Sequence, residues 1–256
     1  MTNPVRMIIA GTPDWETSLR TQVTSPYQLI SYTQPTGYIA RLTDDQPALI
    51  LVDGDQSDWQ FWTTTPKSSS ATRRIPIFLI SKSAAIRAKA LGVGADLALA
   101  SHEFLNQFPQ LVATYARVLD PALAEQLACE CQDPLPPLAI QAVEKFNAGE
   151  YYPQHDLFEE QWMHTKEPVR DLYRAVLQVG IAYYQIERGN HRGAIKMLLR
   201  SVQWLTMLPD VCQGINVKQL REDSYRVRAE LERMAPDDIS QFDRSLLKPV
   251  QMVEKQ

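Results

Sequence analysis

Five short apolar runs, at residues 7–10, 29–32, 48–52, 75–80 and 97–100, recur through the first 120 residues, each followed by a stretch of helix-compatible composition. No other feature constrains the fold as much. Parallel strands need a crossover of a dozen or more residues between them, usually a helix, and strands covered on both faces read as unbroken apolar runs. The alternation therefore predicts a doubly wound α/β domain over residues 1–120, with a five-stranded parallel sheet and helices on both faces. Pro13 suits the start of the first helix, and Gly92 and Gly94 mark the turn into the last strand.

Beyond residue 137 the apolar period changes to three and four, the mark of helices packed along one face. Leu138, Ala142, Val143 and Phe146 form a stripe that stops at Gly149, and Pro153 opens a second helix. In the third, Leu172, Val176, Val179, Tyr183 and Ile186 face inward, with Gly189 as the stop and Asn190 as the next N-cap. Leu198, Val202 and Leu205 line the fourth helix, while Leu220, Val227 and Leu231 line a fifth that begins after Asn216. The expectation is an all-α bundle of about five helices over residues 137–235. A Pro-rich linker at residues 121–136 precedes it, in which Pro121 suits the start of a short helix over residues 122–131, and Pro134 and Pro136, with Pro137 just after, rule out its continuation. A polar tail at residues 236–256 follows it.

Composition narrows the function classes. No run of about 18 apolar residues exists to span a membrane, and the opening stretch Met1-Thr2-Asn3-Pro4 lacks a signal-peptide pattern, so a cytoplasmic protein is expected. Lys and Arg number 26 against 30 Asp and Glu, and neither half carries the basic excess that phosphate backbones demand, so nucleic acid is not an expected partner. Cys129, Cys131 and Cys212 form an odd set without C-x-x-C spacing, which predicts reduced thiols.

The first half resembles the receiver domain of two-component response regulators. Residues 48–53, Ala-Leu-Ile-Leu-Val-Asp, are similar to the receiver's third strand ending in the phospho-accepting Asp53, and residues 75–81 to its fourth strand with a terminal hydroxyl, Ser81. The resemblance implies strand order 2-1-3-4-5. It also implies a pair of acidic residues after the first strand to hold Mg²⁺, where this chain has Gly11-Thr12, and a Lys after the fifth, where it has Ala100-Ser101-His102. Phosphoryl transfer to a carboxylate needs the cation to offset charge on the phosphoryl oxygens. Asp53 is therefore expected to be an inactive phospho-acceptor in a pseudo-receiver that docks or dimerises. Asp14 and Asp55, nearby in sequence, keep a phospho-switch at Asp53 open as an alternative.

In the second half, His155-x-x-x-Glu159-x-x-Trp162 advances by four and then three residues, which sets the three side chains on one helical face. An imidazole and a carboxylate at that spacing can ligate one divalent metal, with Gln178, Tyr183, Tyr184, His164 or His191 as sources of the remaining ligands. The structural alternative is a His155–Glu159 hydrogen-bonded pair with Trp162 in the core. This motif, followed by Leu177-Gln178-Val179-Gly180 and by Gly189-Asn190-His191-Arg192-Gly193-Ala194, resembles the helical family called domain of unknown function 309. The resemblance implies a small helical fold, and metal binding has been suggested for such proteins. The two halves together predict a non-catalytic signalling or scaffold protein with a protein partner, and self-association is an open alternative. Set against it is a metal-dependent enzyme, such as a hydrolase, using His155 and Glu159.

Overall fold

The computed structural model describes residues 4–118 and 120–253. Residues 1–3, within the opening stretch read above, and 254–256, at the end of the tail, lie outside it. The chain divides into two compact units, Met1–Val118 and Leu119–Gln256.

In the first unit, β1 (Val5–Ala10), β2 (Tyr27–Tyr32), β3 (Leu49–Asp53), β4 (Ile77–Ile80) and β5 (Leu97–Leu99) form one sheet in the order β2-β1-β3-β4-β5. Every pairing is parallel. The helices are α1 (Glu16–Gln22), α2 (Tyr38–Asp45), α3 (Trp59–Ser68), α4 (Ala84–Gly92) and α5 (Ser101–Tyr115). The central strands β3 and β4 are buried along their whole length, as their continuous apolar runs require. Their residues alternate between two cores. Ile50, Val52, Ile77 and Leu79 pack with Trp59 and Trp62 on one face, and Leu51, Phe78 and Ile80 pack with Leu19, Phe104 and Phe108 on the other. The register sets Ala10 beside Val52 and Asp53 beside Ile80, which brings Gly11, Asp53 and Ser81 together along the carboxyl-terminal edge of the sheet, where the inner strands end.

The second unit contains α6 (Pro121–Glu130), α7 (Pro137–Asn147), α8 (Tyr151–His164), α9 (Arg170–Glu187), α10 (His191–Leu205), a hairpin of β6 (Val211–Cys212) and β7 (Ile215–Asn216), and α11 (Val217–Arg233). Asn190 and Asn216 each cap the helix that follows, their side chains accepting from the backbone N–H groups of Gly193 and Gln219. The short helix expected within the linker is α6, started by Pro121 and capped by Asp120, and Leu127 and Leu135 bury themselves in the helical core. The tail packs back as well. Phe242 and Val250 are buried, and Asn147 holds both the N–H and the carbonyl of Val250.

The reading of three reduced thiols is corrected here. Cys131 and Cys212 are joined in a disulfide across 81 positions, and Cys129 alone is free and exposed. The hairpin supplies the reason. Gln213 and Gly214 turn with positive φ, which seats Cys212 against the end of α6, where the Gln213 N–H donates to the Cys131 carbonyl at 2.7 Å. The same Gln213 accepts from the Tyr173 hydroxyl at 2.8 Å, whose pKa burial pushes up to about 12.

Helix α9 is the axis of this unit, with α8 and α10 packed along it. From residue 169 to residue 186 no position is fully exposed. Its solvent-facing stripe, with Arg170, Arg174, Leu177 and Ile181 half-buried, is the floor of a furrow between its two neighbours.

Candidate functional site

Two places gather polar side chains that the sequence singled out. The first is the sheet edge at Asp53. This carboxyl is buried, and burial raises its pKa, an effect increased by the neighbouring charges of Asp55 and Asp14 and opposed by the Asp55 N–H, which donates to it at 3.1 Å. Gly11 carries no Cβ because one would stand 2.8 Å from that of Asp53. The remaining groups satisfy one another. Asp55 accepts from the Ser81 hydroxyl at 2.7 Å and from the Lys82 N–H at 3.0 Å. Asp14 is ion-paired with the Lys82 ammonium, whose pKa this pairing raises. Among the described residues no three His, Cys, Asp or Glu side chains are grouped so that they could hold a metal ion. The residues present do not fit the Mg²⁺ that a phosphorylatable receiver requires, since one carboxylate is held by an ammonium and another by a hydroxyl and a backbone N–H.

The second place is the furrow over α9. Helix α8 turns Tyr151, Gln154 and Phe158 to the core. His155, Glu159 and Trp162 fall on the adjoining stripe, half-buried or exposed, so the motif faces the furrow's edge. His155 meets Asp156, not Glu159, through Nδ1 at 3.1 Å, and its ring stacks on Tyr152, which in turn meets Tyr184. Trp162 is only partly buried and carries two guanidinium groups. Arg170 lies 4.7 Å from its ring centroid and Arg174 5.2 Å, and Arg174 also lies 4.2 Å over Trp204 of α10. Arg174 thus bridges the furrow's two walls.

Several polar atoms here have no partner among the described residues. They include the indole Nε1 of Trp162, the Nε of Arg170 and the side-chain oxygens of Gln154 and Gln178. Gln154 is entirely buried against Gly180, where an added Cβ would come within 2.3 Å of its amide nitrogen, and it donates to the Tyr151 carbonyl at 2.9 Å. Close approach of α8 to α9 is the reason for glycine at this position.

The other ligand candidates are dispersed. Tyr183 is enclosed by Phe146 and Tyr151. His191 donates from Nε2 to the Leu231 carbonyl at 2.7 Å, and His164 is exposed at the end of α8. Sequence reasoning missed Arg170 and Arg174. The available signal was a pair of arginines four apart on a long helix whose other stripes are largely apolar.

Comparison with known proteins bears on this unit. The family model described as "Domain of unknown function (DUF309)" matches residues 139–197, a span that holds His155, Glu159, Trp162, Arg170, Arg174 and Gln178. An "Uncharacterized protein" of Aquifex aeolicus (strain VF5) is 26% identical over 77 residues, which cover 30% of this chain and 23% of that relative's own length. Among the described residues no helix is long and apolar enough to cross a membrane.

Proposed function

We propose that this chain is a non-catalytic signalling or scaffold protein, in which a receiver-like α/β unit serves as a docking module and the helical unit offers the furrow over α9 to a protein partner. The observation that carries this reading is the self-satisfied edge at Asp53. Ser81, Asp55, Lys82 and Asp14 engage one another, so the carboxylates that would have to gather a cation are already committed. A module of this kind has no use for a phosphoryl donor and works through its surface. The furrow supplies such a surface in the helical unit, with two indoles and two guanidinium groups in its walls and floor. Aromatic and Arg side chains of this type are enriched among residues that anchor protein interfaces.

The test is incubation of the full chain with acetyl phosphate and Mg²⁺ followed by intact mass measurement. No adduct is expected under conditions that label an active receiver. An adduct abolished by Asp53→Asn would replace this reading with a phospho-switch.

A further inference from the structure

We infer that the furrow over α9 recognises an acidic peptide segment, taking a carboxylate side chain at Arg170 and Trp162 and a backbone N–H at Gln178. This deepens the partner reading above and rests on it. The Arg170 guanidinium stacks on Trp162 without a carboxylate partner among the described residues. Its Nε and the Trp162 Nε1 are both N–H donors left without an acceptor. Two unmatched donors on side chains stacked at 4.7 Å, one of them cationic, are complementary to a carboxylate, which can accept through both oxygens. Both N–H groups are buried in the unliganded chain, so a carboxylate reaches them as the half-buried Arg170 side chain turns outward.

Gln178 decides between sources of the carboxylate. It follows Arg170 and Arg174 at successive steps of four on α9, is 4% exposed, and its side-chain oxygen has no donor among the described residues. A free organic acid at neutral pH brings acceptors only. A peptide brings acceptors in its side chains and an N–H at every residue but proline, so it alone matches both ends of the row.

The test uses the full chain, ¹⁵N-labelled, titrated with hexaglutamate, hexaglutamine and succinate while the indole and arginine Nε–H signals are followed. Hexaglutamate is expected to shift the Trp162 and Arg170 signals saturably, and hexaglutamine to leave them in place. Arg170→Gln should weaken hexaglutamate binding on the order of tenfold, and Trp162→Phe, which keeps a ring but removes the N–H, about threefold. Gln178→Leu should weaken hexaglutamate and leave succinate unchanged. Absence of saturable shifts, equal shifts with hexaglutamine, or undiminished binding in Arg170→Gln overturns the inference, and succinate binding as tightly as hexaglutamate overturns the peptide source. Should Arg170→Gln fail to fold, the wild-type titrations and Trp162→Phe still decide. An identified partner that stays bound to Arg170→Gln but is lost with Trp204→Ala overturns the carboxylate inference alone. A partner that tolerates both changes overturns the furrow reading itself.

Discussion

The edge at Asp53 and the furrow over α9 are both clusters of polar side chains beside an apolar core, and they differ in how their hydrogen-bonding capacity is spent. At the edge, each group named has a partner within its own unit: hydroxyl with carboxylate, ammonium with carboxylate, backbone N–H with carboxylate. In the furrow, two N–H donors and a buried amide oxygen have none among the described residues. A buried polar group without a partner costs free energy, whereas a matched one is close to neutral or mildly stabilising. A matched cluster is complete as it stands. An unmatched one stores a cost that binding can relieve, so it is the better place to look for a ligand.

This contrast makes opposite predictions for similar substitutions. The largest effect tests whether the two units stand apart. Cys212→Ala should lower the stability of the helical unit by about 2–4 kcal/mol, because the disulfide closes a long loop, and leave the α/β transition unmoved in calorimetry. Ser81→Ala removes the donor to Asp55 and the acceptor of the Ser83 N–H, and denaturant titration should show a loss of about 1–2 kcal/mol. Gln178→Leu removes an amide whose oxygen lacks a donor and should instead raise stability by up to about 1 kcal/mol. A loss there would break the contrast. The smallest effect concerns Asp53→Asn. Burial raises the folded-state pKa of Asp53, so the folded protein holds that proton more tightly than the unfolded chain does. Stability then falls as pH rises from the ordinary carboxylate value of 3.8 through the raised one. Asn escapes this loss, so the variant should be more stable than the parent at pH 7, with the difference shrinking as pH drops below that window.

How much of this was legible in the sequence follows from the range over which each feature is encoded. Strand runs such as Leu49–Asp53 and helical stripes such as Leu172, Val176 and Val179 are local patterns, and they appear in the structure where the periodicity put them. Asn190 and Asn216 cap their helices for the same reason, since a cap acts within three residues. The His155 motif was half-legible. Its helical spacing holds, but spacing does not say which neighbour a stripe meets, and α8 spends its core contacts on Gln154 and Phe158. The pairing of Cys131 with Cys212 was invisible because it depends on a hairpin of two-residue strands, too short to show any alternation. Its one local trace is Gly214 beside Gln213, both at positive φ. The furrow was illegible for a related reason, since it exists only through the packing of three helices, and Arg174 connects Trp162 to Trp204 across 42 positions of chain.

The disulfide has a consequence for the chain's connectivity. Residues 131 to 212 form a covalent ring, and α7, α8, α9 and α10 lie entirely inside it, as does the whole of the segment that matches the family model. A protease that cuts one bond anywhere within that ring, for example in the loop between α8 and α9, opens it without dividing the molecule. The nicked chain migrates as a single band until a reductant is added, when it separates into two. The furrow's walls and floor up to Trp204 thus stay tethered to one another through a cut that would sever a linear bundle.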